Sequence, residues 1–411
     1  MLAESSVQDQ LDAARHDALR VLVVGAGVAG STVAQLLRAH GVHPVLVERA
    51  GPDAGSGYML ALMPLVDPVI AALGVAETYR AASTPLRRYE ILSSRGRRLR
   101  EYGMTKLLAE FGDNRGLSRA SLLRVLHSPG GAITHRATVS AITQTERAAV
   151  VTIDSGDGPR TGEFDVVVVA DGLHSTTRDL VLEPGEVTRF DTGWGGWVTW
   201  SDPVHDAELG RELWGAGAFV GSYPVADRLG YIVCGPRDET RAGPRVFTDR
   251  VRRHLPSVDA ALEDVLDVTA REHDPYFWRL DDCRTAAWSR GRVVLLGDAA
   301  AGFLPTAGIG AGMAMESAWV LAGRLADTSP GDVPHALRAY ERAQRPRVEA
   351  AQDNSRQLAG LMFRRSRAFA VVRDLAARFM PLEMAIRPIR RLLRTSPQPQ
   401  AAAPSAQPPR R

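Results

Sequence analysis

The chain has 411 residues, 45% of them hydrophobic and 24% charged, which excludes a disordered or fibrous protein and leaves room for one large core or two closely joined domains. Fifty basic residues against 47 acidic ones give a formal net charge of only +3, spread along most of the chain, so no nucleic-acid partner is implied. Two cysteines, Cys234 and Cys283, cannot frame a chain of this size with disulfides. Neither sits at metal-ligand spacing, so the expectation is a reducing cytoplasm and no metal.

Residues 1–17 are polar and acidic, without the basic and apolar regions of an export signal, and no apolar run is long enough to span a membrane. Lys106 is the single lysine, so the cations are almost all the planar, bidentate guanidinium. After a leader expected to be flexible over 1–18, residues 20–24 form a short all-apolar run, as in a strand buried on both faces of a parallel sheet. Gly25 ends it, a helix is predicted over 28–40 and closed by Gly41, and 45–48 reads as the next buried strand. Together these make a βαβ unit.

The pattern loosens from 50 to 112, a helix is predicted near 119–126, and alternation over 132–153 suggests antiparallel strands. Residues 165–170 form a second fully buried strand running into Asp171-Gly172. Residues 186–285 are β-rich and aromatic, as expected of a separate sheet inserted into the first domain. Residues 293–296 are a third buried strand ending in Gly297-Asp298, and long helices follow over 310–326 and 336–361. An arginine-rich stretch covers 363–394. The Pro/Gln/Ala-rich end, 395–411, cannot bury enough surface to fold.

Three strand ends carry chemistry. Gly25-Ala26-Gly27-Val28-Ala29-Gly30 lies between strand and helix: Gly25 permits the tight turn, Gly27 lets backbone approach a pyrophosphate, and Gly30 lets helix and strand pack. The helix N-terminus faces the phosphates, and Glu48 ends the second strand where it can accept from a ribose diol. At the third strand end, Asp298 is followed by Pro305 and by Gly308-Ile309-Gly310-Ala311-Gly312, which enter a helix. That arrangement offers a carboxylate to a polyol and a helix N-terminus to an electron-rich ring. NAD has no ribityl chain to meet it, whereas FAD does.

These residues, with Asp171-Gly172-Leu173-His174-Ser175-Thr176-Thr177-Arg178 between them, resemble the para-hydroxybenzoate hydroxylase-like (class A, single-component) FAD-dependent monooxygenases over about 19–350. The resemblance implies an α/β fold: a three-layer ββα Rossmann-like FAD domain (19–185 and 286–362), an inserted antiparallel β-sheet substrate domain (186–285 with parts of 58–110), and C-terminal helices. It places the pyrophosphate at Gly25, Gly27 and Gly30, the ribose at Glu48, the phosphate side of FAD at Arg119 and the ribityl chain at Asp298. Asp171 and Arg178 are expected near FAD and NAD(P)H. Ala29, Arg49, Gly310 and Ala311 complete the expected cofactor set. Family members often carry histidine where this chain has Ala301, and glutamine and asparagine where it has Ile309 and Gly312.

The activity implied is oxygenation of an apolar or aromatic small molecule, plausibly a secondary metabolite. Non-covalent FAD would use NADPH or NADH and O2 through a flavin C4a-hydroperoxide, leading to hydroxylation or epoxidation. No general base is identified. Tyr58, Tyr223 and His174 are candidates, each better suited to a structural hydrogen bond. Two readings stay open beside it, an FAD-dependent isoprenoid reductase and a non-catalytic redox-responsive flavoprotein. A flavin halogenase does not fit, since it needs an active-site lysine and a W-x-W-x-I-P helix. Monomer and homodimer are both compatible with the sequence. The arginine-rich segment could touch an anionic membrane, but such a pattern more often marks a helix packed on its own protein.

Overall fold

The computed structural model describes residues 1–52, 57–202, 206–226, 228–379, 387–395 and 397. Its framework is a sheet of seven strands in the order Ala3–Glu4, Ala132–His135, Val45–Glu48, Val21–Val24, Val166–Val169, Val293–Leu295 and Ser289–Arg290. All neighbours run parallel except the last pair. Val23 lies beside Leu46 on one side and Val168 on the other, and Val168 beside Val294. These side chains are wholly buried, which is why each segment reads as a continuous apolar run. The register also brings the three predicted loops out at the same, C-terminal edge of the sheet.

Helix Val28–Ala39 packs on helix Gly310–Leu325. The antiparallel strands Thr138–Gln144, Ala149–Ser155 and Gly158–Phe164 send Val151, Ile153 and Phe164 into the same core, giving the helix–sheet–sheet layering. Ala132–His135 departs from the expected antiparallel pattern, because it extends the parallel sheet. The chain turns out of it at Arg136, whose φ of 52° is in the left-handed region, before antiparallel pairing starts at Thr138.

The second large sheet runs Tyr276–Thr285, Val187–Ser201, Arg228–Pro236, Phe219–Val225, Leu209–Trp214, Arg88–Leu92, Arg98–Gly103. It is not wholly antiparallel as expected, since Leu209–Trp214 pairs in parallel with Arg88–Leu92. Nor is 186–285 all strand: helices Pro244–His254 and Ala260–Arg271 cover one face, meeting Leu213, Val220 and Val233 with Phe247, Val251 and Leu266. Alternate residues point the other way. Trp194, Val198, Phe219 and Ile232 form a second apolar layer with Met59, Leu304 and Met362. That face roofs the loops at the parallel strand ends.

The leader is ordered, contrary to expectation. Ala3–Glu4 adds a strand to the sheet edge, and helix Val7–Ala13 starts on Ser6, whose hydroxyl accepts from Asp9 N at 3.1 Å. Its anchor is Gln10. The side chain accepts from Leu46 N at 2.9 Å and donates to Leu46 O at 3.1 Å and Thr134 Oγ1 at 2.8 Å, satisfying ladder groups that the short neighbouring strand leaves open. The expected floppy end, 395–411, lies outside the described residues apart from Thr395 and Pro397. Gln10→Ala strands a buried backbone pair and is expected to cost about 2 kcal/mol. The cost would be read as a lower urea midpoint at unchanged slope, and a wild-type midpoint would show that water replaces the side chain.

Candidate functional site

The three strand-end loops touch. Gly25 has φ 99°, and a Cβ there would lie 2.6 Å from the carbonyl oxygen of Ala170 and 2.8 Å from Asp171 Cα, so the first loop rests on the second. Gly297, with φ 61°, leaves room for Ala29, whose Cβ would be 2.7 Å from an added Cβ. The third loop therefore rests on the first turn of helix Val28–Ala39. Gly30 sits against Gly25 O, only 1.9 Å from a would-be Cβ. Gly27 caps the helix and faces open space, the nearest group to an added Cβ being the Arg119 guanidinium at 3.8 Å.

The charged groups at this edge divide into held and unheld. Glu48 accepts from Ala26 N at 2.7 Å and Ala50 N at 2.8 Å, which fixes the glycine loop and leaves its remaining lone pairs for further donors. Arg49 beside it is exposed. Arg119 opens helix Arg119–His127 and donates its backbone N–H to Tyr58 O at 2.9 Å. Among the described residues its guanidinium has no hydrogen-bond partner. Asp298 likewise has no side-chain partner among them. Burial pushes its carboxyl up to about 6, with Asp282 adding to the rise and Arg119 opposing it. The phenol of Tyr58 is pushed up to about 12 by burial and by Asp298, again against Arg119. Arg119, Asp298 and Tyr58 thus share one field although 240 positions separate the first and last of them in sequence, 298 less 58.

The Asp171 carboxylate accepts from Thr177 N at 3.3 Å through one oxygen, while the other is buried without a partner. An orphaned acceptor of this kind fits a ligand hydroxyl or amide. Arg178 has a different place from the one expected. It is fully buried and donates to Ala299 O at 3.0 Å and Leu173 O at 3.1 Å, so it braces the second loop against the third and does not face the cleft. His174 is exposed and is not drawn to the other candidates. Gly310 and Ala311 begin helix Gly310–Leu325, with Gly310 lying on the Phe303 side chain. Gly308, at φ 60°, lies against Ala61 of strand Met59–Leu62. These residues form a cradle with an open helix N-terminus, one carboxylate held by backbone N–H groups, and a guanidinium and a second carboxylate that have no hydrogen-bond partner among the described residues.

The roof carries a group that sequence reasoning missed. Tyr58 stacks on Trp278 at 4.3 Å. Tyr223 donates its hydroxyl to Glu212, Trp214 Nε1 donates to the same carboxylate at 2.8 Å, and Tyr89 also hydrogen-bonds it. Burial raises the Glu212 carboxyl above the usual range, the three hydrogen bonds oppose the rise, and among the described residues no cation lowers it. Arg211, its neighbour in sequence, turns to the opposite face and pairs with Glu90 and with Asp259 at 2.6 Å. Tyr223 and Trp214 pack with Tyr58, Met59 and Trp278 on the layer facing the loops. The available signal was the alternation in Leu209-Gly210-Arg211-Glu212-Leu213-Trp214, which puts Glu212 and Trp214 on one face.

A family profile described as the FAD binding domain matches residues 18–355. The chain is 32% identical to the 3-amino-4-hydroxybenzoate 2-monooxygenase PtnB3 of Streptomyces platensis over 362 residues, 82% of this chain and 87% of the relative. It is 29% identical to a probable 2-heptyl-3-hydroxy-4(1H)-quinolone synthase of Rhodococcus erythropolis, over 82% of this chain and 86% of that one. Among solved structures it resembles Klebsiella pneumoniae HpxO complexed with FAD and uric acid, with a TM-score of 0.78 at 23% identity over 92% of this chain and 97% of that one.

The raised Asp298 carboxyl has a signed consequence. Between its ordinary 3.8 and about 6 the folded state keeps a proton that the unfolded chain has lost, so stability falls as pH rises through that window. In flavin-free protein Asp298→Asn removes this cost and is expected to stabilise by up to about 3 kcal/mol above pH 6, the gain closing toward pH 4, while FAD affinity drops. Melting curves at the two pH values with a flavin titration test both, and a pH-independent melting difference would refute the assignment.

Proposed function

Because the chain belongs to the class A FAD-dependent monooxygenases, we propose that it hydroxylates an electron-rich aromatic carrying a hydroxyl or amino group, with NADPH or NADH as reductant. The observation that carries this reading is a buried, cation-free carboxylate with two phenols on the sheet face above the cofactor cradle. The relatives named for a hydroxybenzoate and a quinolone support the aromatic class.

Gly25, Gly27, Ala29 and Gly30 with Arg119 would hold the pyrophosphate, Glu48 the adenosine ribose, and Asp298 the ribityl chain. The N-terminus of helix Gly310–Leu325 would meet the electron-rich edge of the ring, where its dipole contributes roughly 0.3 to 2 kcal/mol. When bound, FAD supplies the redox chemistry, taking a hydride from the nicotinamide and activating O2.

The chain's own part is to orient the substrate, exclude water and move one proton. Tyr58, Trp278, Met59 and Leu304 wall the space with apolar surface. A substrate phenol donates its proton to Tyr223 Oη as Tyr223 passes its own to Glu212 Oε1, leaving a phenolate that is more reactive toward an electrophilic oxygen. A carboxylate with a raised pKa is a suitable acceptor for this purpose.

Two measurements follow. Purified protein is expected to be yellow, and a screen of substituted phenols and anilines should find compounds that speed NAD(P)H oxidation and leave with one added oxygen atom. A folded protein that takes up no FAD, or a flavoprotein accelerated by none of them, refutes the reading. Glu212 must be ionised to accept, so activity falls as pH drops through its raised pKa. Glu212→Gln and Tyr223→Phe are each expected to lower kcat about 100-fold, and Glu212→Gln to abolish that acid limb. An acid limb unchanged in Glu212→Gln would assign it to another group.

A further inference from the structure

The C-terminal helix Arg367–Phe379 is packed inside out. Its inward side carries the charges: Arg373, buried, donates to Leu361 O at 3.1 Å and to Trp214 O, while Asp374 accepts from Ser94 N and Oγ, each at 2.8 Å. Its outward side carries the adjacent Val371 and Val372, then Leu375 and Phe379 at helical spacing, 59%, 67%, 60% and 73% exposed. A soluble helix ordinarily turns such a stripe to the core. Here four hydrogen bonds anchor the polar side instead, and the apolar side has no cover among the described residues.

Arginines of the same helix flank the stripe: Arg367 and Arg378 are exposed and form no ion pair among the described residues. Other cations in the region are neutralised, Arg365 by Asp238 and Arg394 by Glu110 at 3.0 Å. The acid described within helix Arg367–Phe379, Asp374, points inward. We propose that this face docks on an anionic lipid surface, the apolar stripe entering the acyl boundary and the free arginines meeting the headgroup phosphates. A second copy of the chain fits less well, because a two-fold contact through this stripe sets the same unpaired arginines against each other.

The test is sedimentation of the FAD-loaded full-length protein with sucrose-filled vesicles of phosphatidylcholine alone or with about a third phosphatidylglycerol. Binding is expected to be at least about tenfold stronger on the anionic vesicles and to weaken with salt. Leu375→Ser with Phe379→Ser should abolish it, and Arg367→Gln with Arg378→Gln should lower it about tenfold, with flavin content unchanged in both. Protein that stays in the supernatant with anionic vesicles overturns the proposal. So does binding indifferent to the stripe substitutions. If the serine pair instead converts a dimer to a monomer, the stripe belongs to a second copy, and if it lowers the melting temperature without affecting sedimentation, the chain's own remaining residues cover it.

Discussion

The constraint on which the rest depends is the parallel register of Val23, Val168 and Val294. Because the three strands are level, their loops leave the sheet at one height and must share one small volume. They fit only because Gly25 and Gly297 carry no side chain where Ala170, Asp171 and Ala29 approach within 3 Å of a would-be Cβ. Both also adopt left-handed backbone that a larger residue would strain. The same crowding gathers Arg119, Asp298 and the orphaned oxygen of Asp171 around one opening. A buried carboxylate and a guanidinium that do not pair with each other are costly in isolation. A ligand that met both, as FAD would in the proposed arrangement, would offset that cost.

The roof obeys a different rule, the two-residue period of a strand. Arg211 and Glu212 are adjacent, yet the pleat sends one toward the helices, where Glu90 and Asp259 pair with it, and the other toward the loops, where phenols and an indole surround it. A one-residue slip would exchange them and put a cation over the cradle. Pairing with Arg88–Leu92 and with Phe219–Val225 on either side pins the register. The sign of the charge facing the cradle is therefore a property of the fold as much as of the residue.

How far the sequence discloses this depends on how many faces of a segment are buried. Residues 21–24, 166–169 and 293–295 are buried on both faces and announce themselves as apolar runs, so the sheet and the three loops that leave it after Val24, Val169 and Leu295 were legible. Glu212 was not, because a strand with Arg and Glu side by side gives no hint which one meets solvent. The leader was misjudged because it is held by several small contacts, a two-residue strand, the Gln10 side chain and isolated buried residues such as Val7 and Ala14, too sparse to read as a hydrophobic pattern. Arg178 was placed by its loop, correctly, but a loop position does not say whether a side chain points out to a ligand or back to Ala299 and Leu173.

Helix Arg367–Phe379 shows the same limit in its sharpest form. Periodicity reveals that a helix has two faces, not which one the protein keeps. The choice follows from what the body presents. Where the helix lands, Trp214 and Leu361 offer backbone carbonyls and Ser94 offers an N–H and a hydroxyl, groups that a valine could cover but not satisfy. Leaving them unpaired beneath an apolar face would cost on the order of 1 to 3 kcal/mol for each group desolvated, whereas exposing a few aliphatic side chains forgoes about 1.5 to 3 kcal/mol apiece only if they would otherwise be wholly buried. Polar anchoring wins at this surface, and the displaced hydrophobic face becomes available to whatever apolar medium the molecule meets.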